Sequence, residues 1–423
     1  MKSRCFYTKV PGWSLLVFLL GLSLSGFSSC DKMNSDRAVL WTDCPEFAFY
    51  TEFFNASQGK YKIEVRYFES PAQKLTEPGD TPDIVAASWL KSAPARVAFR
   101  PLDNLFPKDS PAIFYPKLLA LGAIDGRQYL LPVSYNIPAM IFALDFNQPH
   151  SNPFTIEMGE IKERSKLYNV VTNGVYSKMG FALSPDDEFL FIITALFGAG
   201  FREASPVAWD SQAVEQSVAW IQEWITEANI SIQVEEDFAF KYFYDPPDKL
   251  IKSGRILYAH MSSSDFFTLP EERQANLDFR WIAAREMIPL DERSVYYGIH
   301  RKAKAVKAAE AFTLWFFNAD TQRLLLEAGK TRRLHETSFG IAGGFSAMKH
   351  VTEQIFPQFY PALLGHMPPD NYLSPPNVLP RNWMTLKGRV ILPYLRERIR
   401  HASREEVRSL ERRISDWYRL NRE

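Results

Sequence analysis

Tyr135 and Asn136 are polar residues set between two apolar runs, 129–131 closed by Pro132 and 137–144 broken only by Pro138. A proline-flanked polar bend between apolar strands leaves backbone N–H and C=O groups that a ligand could satisfy, with a phenol and an amide beside them. That is the chemistry of non-covalent recognition. The surrounding stretch, 125–146, reads either as an ordinary core hairpin or as a buried crossing between two halves of one body. A second polar cluster, Ser262, Ser263, Ser264 and Asp265, fills a turn bracketed by short strands at 256–260 and 279–283.

Covalent chemistry finds little support. Ala328-Gly329-Lys330-Thr331 ends like a phosphate loop, but Leu324 stands where the earlier glycine is required. Gly198-Ala199-Gly200 lacks the third glycine of a dinucleotide loop. No histidine pair has metal spacing, and no Gly-x-Ser-x-Gly elbow occurs. Asp43 and Asp265 could in principle form a glycosidase pair, but they do not outweigh a binding role. Asn55-Ala56-Ser57 fits a glycosylation acceptor but falls on an expected helix. The sequence therefore reads as a binder, not an enzyme.

The elements that position these groups begin with a strand at 38–41. A helix follows from Pro45 to Ser57, with Phe47, Tyr50, Phe53 and Phe54 at helical spacing. Residues 61–67 then alternate strictly, and a third strand, 83–87, follows the turn 78–82. Strand, helix, strand predicts an open α/β sheet whose ligands lie beyond the carboxyl ends of its strands, here Thr42-Asp43-Cys44 and Ala87-Ser88-Trp89. Helical periodicity dominates 189–228, and two further helices, 302–318 and 320–328, follow a strand at 296–299. From Phe345 onward the seven prolines between Pro357 and Pro380 predict a loop-rich stretch. A closing helix carries Val407, Leu410, Ile414, Trp417 and Leu420 on one stripe.

At 423 residues the chain suggests two or three lobes, and 46 % hydrophobic residues supply their cores. Its 49 basic and 49 acidic residues balance, which argues against nucleic acid as a partner. Lys2, Arg4 and Lys9 precede an uncharged apolar stretch, 13–24, too short to span a bilayer, and this predicts a cleaved signal. Phe27-Ser28-Ser29-Cys30 resembles a bacterial lipoprotein cleavage box with Phe27 in the usual leucine position; soluble export is the alternative. Cys44 is the only cysteine in the remaining chain, so no disulfide is expected.

Together, the lipoprotein leader, Leu40-Trp41-Thr42, Thr81-Pro82-Asp83-Ile84-Val85, Pro101-Leu102-Asp103, 126–132 and the paired helices from Lys302 resemble extracellular solute-binding proteins of ABC importers. The maltose-binding-like, sugar-binding branch is the most similar. The resemblance implies a two-lobed α/β fold of type II, in which lobes joined by crossing strands close by hinge bending. Carried onto this numbering, it gives a signal peptide at 1–29, a lipidated leash at 30–37 anchored through Cys30, lobe one at 38–142 and 279–337, and lobe two at 143–278 and 338–423. It implies ligand contacts at Thr42, Asp43, Glu46, Trp89, Tyr135 and Asn136. Ser263, Asp265 and Phe266 correspond to a family segment that usually holds a glycine and a tryptophan, both absent here, and Trp383 matches an aromatic that stacks on sugar. It further implies a monomer with no cofactor or metal, tethered outside the cytoplasm, that passes a carbohydrate to permease subunits. The altered turn at Ser262 leaves a surface adhesin or sensor partner of the same fold as the second reading.

Overall fold

The computed structural model describes residues 36–106, 113–144 and 150–421; the expected signal peptide and Cys30 lie outside them. The chain opens with strand β1 (Arg37–Thr42), helix α1 (Glu46–Ser57) and strand β2 (Lys62–Tyr67), and β1 pairs in parallel with β2 and with β3 (Ile84–Ser88). The βαβ unit read from the alternation is therefore present. Asp83, just before β3, explains the Thr-Pro-Asp motif. Its carboxylate accepts from the Val39 N–H (2.9 Å) and from the N–H groups of Lys304 and Ala305 (2.6 and 2.9 Å), tying β1 to the turn that leads into the helix at 306–316.

Strand β4 (Leu131–Tyr135) joins the same sheet, and after only Asn136 and Ile137 the chain enters β5 (Pro138–Ala143) in a second sheet. That sheet gains β6 (Thr155–Glu157), β7 (Ala259–Ser262) and β8 (Leu277–Ala283), with α2 (Asp187–Leu196) and α3 (Ser211–Asn229) packed on it. The chain returns through β9 (Ile288–Pro289) to β10 (Val295–Ile299) in the first sheet. There follow α4 (Val306–Phe316), α5 (Ala319–Thr331) and the edge strand β11 (Phe345–Ser346). It leaves once more through β12 (Leu373–Ser374), which pairs in parallel with β9. The sheet orders are β11-β4-β10-β3-β1-β2 and β7-β5-β8-β6.

Strands β3 and β5 are buried on both faces, and their period of two distributes side chains between cores. Ile84 and Ala86 of β3 enter the largest core, Val85 and Ala87 the opposite one. Ala139 and Ile141 of β5 enter the largest core, whereas Met140 and Phe142 face the core built with α2 and α3. Residues 138–142 and 279–283 were expected with the first lobe but pair in the second sheet, while Phe345–Ser346, expected in the second, edges the first. The apolar run continues through the bend, so hydropathy gives no mark of where the chain changes sheets.

The proline-rich segment after Phe345 is more helical than expected. Residues 349–359 and 383–400 are continuous helices, each containing a π-turn, Val351–Ile355 and Lys387–Ile391. In both, the π-turn ends two residues before a proline, Pro357 and Pro393. Proline cannot donate to the carbonyl four residues back and its ring clashes there, and a widened turn just upstream moves that carbonyl away. The helices end with α6 (Leu392–Arg400) and α7 (Leu410–Leu420).

Candidate functional site

The crossings are bound to one another by short polar contacts. Asn136 donates through Nδ2 to the Gly343 carbonyl (2.9 Å) and accepts at Oδ1 from the Ser263 hydroxyl (2.7 Å), and its own carbonyl accepts from the Asp291 N–H (3.0 Å). The Ser263 hydroxyl also accepts from the Ile137 N–H (3.1 Å). Asn136 and Ser263 thus lock the bend between the sheets.

Beside that lock lies a cavity of about 780 Å³, floored by the segment 287–293 and walled by α2, the Ser262 turn and the helix at 383–387. A neighbouring cavity of about 470 Å³ opens at the carboxyl ends of β1 and β3, bounded by Asp43 and Trp89 on one side and Asn382 and Trp417 on the other. Arg293 and Met384 line both cavities, so the two adjoin along one cleft and these side chains stand between them.

Among the expected contacts, Asp43, Trp89, Asp265 and Trp383 reach this cleft. Asp43 accepts from the Ser88 N–H at 3.2 and 3.3 Å and faces Arg293 at 3.7 Å. Trp89 has φ of 64°, the left-handed region, which a bulky side chain occupies only where its surroundings hold it. Asp265 is exposed, and its carboxylate accepts from the Ser262 hydroxyl (2.9 Å), which in turn accepts from the Asp265 N–H (3.1 Å).

The remaining positions, and the ring of Trp383, are placed elsewhere. Thr42 is fully buried and bonds Cys44 N–H (2.9 Å), shaping its own turn. Tyr135 lies in the core against Tyr115 and Phe345, and Phe266 packs on Phe267 and Phe279. Glu46 accepts from Ser338, outside either cavity. Trp383 lies beside the cleft, but the residue is fully buried, its indole between Phe191 and Phe201, and offers no free face for stacking. Aromatic residue type alone does not separate a core ring from a platform.

The residues that dominate the electrostatics are ones the sequence reading passed over. Lys387 is 2 % exposed, and its Nζ lies 2.6 Å from Glu188, 2.9 Å from Glu292 and 4.1 Å from the centre of the Phe191 ring. His260 Nδ1 lies 3.1 Å from Asp186. Burial opposes its protonation, but Asp186, aided by Asp291 and Glu188, raises its pKa overall. Asp291-Glu292-Arg293 was the available signal: three consecutive charges between buried strands call for a reason.

Burial, and then the neighbouring Glu292 charge, push the Asp291 carboxyl from 3.8 up to about 7, although His260 and Lys387 pull it down. A folded pKa above the unfolded one means the folded state holds the extra proton, so stability falls as pH rises from about 4 through 7. Asp291→Asn should flatten that fall and leave the protein about 1–2 kcal/mol more stable than the parent at pH 8, a figure reduced for the partial exposure of the group. Urea denaturation at pH 5 and pH 8 measures it; an equal stability difference at both pH values would remove Asp291 from this role.

No group of residues among those described could hold a metal ion, and no helix among them is long and apolar enough to cross a membrane.

Comparison with known proteins agrees with this architecture. Among curated proteins none matches the chain. Solved structures share its fold: a cyclic alpha-maltosyl-1,6-maltose binding protein from Arthrobacter globiformis is 14 % identical with a TM-score of 0.60, over 90 % of this chain and 96 % of that one. A cyclo/maltodextrin-binding protein complexed with maltotetraose is 16 % identical with a TM-score of 0.63, over 92 % and 98 %. An extracellular solute-binding protein from Staphylococcus aureus in complex with maltose is 13 % identical with a TM-score of 0.61, over 92 % and 99 %. Residues 50–332, more than half the chain, match the sequence family described as bacterial extracellular solute-binding protein, and the chain belongs to that family.

Proposed function

We propose that this protein captures a saccharide in the cleft between its two sheets and delivers it, chemically unchanged, to the permease of an ABC importer. The observation that carries the reading is the cavity of about 780 Å³ set beside three chain crossings, where hinge bending would open and close it. Its walls alternate Phe191, Met287 and Pro375 with carboxylates and Asn377, which suits a ligand with apolar C–H faces and hydroxyl edges. The sugar-binding names of the structural neighbours support the same ligand class. In this reading 36–106, 113–135 and 295–360 form one lobe, the segment 347–360 packing on the first sheet through Val133, Tyr115 and Phe345, and 138–144, 150–283 and 373–421 form the other. Cys30 carries the lipid that holds a monomer at the membrane, outside the cytoplasm.

A hydrolytic role is disfavoured because Asp43 and Asp265, the carboxylates considered as an acid-base pair, line different cavities. Calorimetry of the mature protein against neutral, acidic and amino-bearing trisaccharides is expected to give saturable one-to-one binding in the micromolar range, about −8 kcal/mol. Chromatography of the recovered sugar should show no product. Absence of binding across the whole saccharide panel would overturn the reading in favour of a non-transport surface role, and a new product would make the protein an enzyme.

A further inference from the structure

We propose that the cleft selects a solute bearing a protonated amino group, and that within the saccharide reading above its ligand is an amino sugar with a free amine. The inference rests on that reading for the saccharide body, and on the cavity's own charges for the amine.

Three basic groups line the larger cavity, and each is already engaged. Lys387 is shared between Glu188 and Glu292 at 2.6 and 2.9 Å. His260 faces Asp186 at 3.1 Å, and Arg293 faces Asp43 at 3.7 Å while donating through Nε to the Ser88 hydroxyl at 3.3 Å. Two lining carboxylates, Asp265 and Asp291, have no basic side chain at ion-pair distance among the described residues. One lysine answering two glutamates leaves a further negative charge uncompensated.

Position makes this excess consequential. Asp291 lies on the return crossing, its N–H on the Asn136 carbonyl, and Asp265 stands at the mouth in the Ser262 turn. They therefore belong to different walls of one space. When the lobes close on a solute, water leaves these carboxylates, and an uncompensated charge in a dry site is costly. A neutral sugar would leave the cost in place or drive a proton onto Asp291, whose carboxyl is already pushed up to about 7 by burial, and an anion would add to it. An ammonium group would offset it with charge-assisted hydrogen bonds, while Phe191 and Met287 still take the apolar body.

An amino sugar and an aliphatic diamine share this chemistry, and calorimetry at pH 7.5 separates them. The probes are the glucosamine trimer, its fully N-acetylated form, maltotriose and 1,5-diaminopentane. The glucosamine trimer should bind at least about tenfold more tightly than the acetylated trimer or maltotriose. Asp291→Asn and Asp265→Asn should each bring the ratio of acetylated to free-amine dissociation constants toward one. Because Asp265 is exposed, its variant keeps the test open if the Asp291 variant folds poorly. Equal or tighter binding of the acetylated trimer or maltotriose would overturn the amine proposal while leaving the saccharide reading intact. Binding of the diamine without any saccharide would do the reverse. Silence of both cationic probes would also overturn the amine proposal.

Discussion

Trp383→Ala is expected to destabilise the protein by about 3–5 kcal/mol, the cost of emptying a fully buried aromatic site. The ring centroids of Phe191 and Phe201 lie 5.9 and 5.4 Å from the indole, so truncation would leave a cavity between α2 and the helix at 383–400. The indole Nε1 also donates to Glu292 Oε1 at 3.3 Å, and its loss would leave that carboxylate one donor short. Trp383→Phe should recover most of the packing but not the hydrogen bond, and so fall between the two. Urea midpoints at pH 7 measure both. A midpoint unchanged in Trp383→Ala, with solute affinity lost, would instead place the indole against the ligand. Trp89 offers the contrast: partly buried and held at positive φ on the rim of the smaller cavity, it can lose its ring with less damage to packing.

The two tryptophans also define how far the sequence could be read. Alternation and helical spacing are local properties, so the opening βαβ unit and the paired helices after β10 followed from residues within a few positions of each other. Whether Trp383 turns inward depends on Phe191 and Phe201, almost two hundred residues earlier. The same holds for Asn136. Its bend was legible because proline and polar residues interrupt apolar runs, but its partners Gly343 and Ser263 come from distant crossings, and they make it a lock between sheets. Tyr135 points into the core because β4 alternates, a fact the pattern contained once the strand's register was fixed. The proline count misled for 349–359 and 383–400, because a π-turn two residues upstream accommodates Pro357 and Pro393 within a helix.

Lys387→Met should cost about 3 kcal/mol at neutral pH, since it removes the cation from a buried pair and leaves carboxylates behind. The side chain is 2 % exposed; Glu292 is 15 % exposed and stays in place through Trp383, whereas Glu188, 54 % exposed, can turn back to water. This asymmetry puts the expected loss at the lower end of what breaking buried pairs costs, and it assigns most of the loss to Glu292. The double variant Lys387→Met, Glu292→Gln should therefore regain more than half of it, whereas pairing Lys387→Met with Glu188→Gln should regain little; equal recovery by both would refute the assignment. Binding should move the other way. With Lys387 gone the cavity gains a full negative charge, so affinity for the glucosamine trimer should rise in a variant whose stability has fallen. Loss of stability together with loss of affinity for every probe would mean that the lysine holds the solute, and that its two glutamates position it for that purpose.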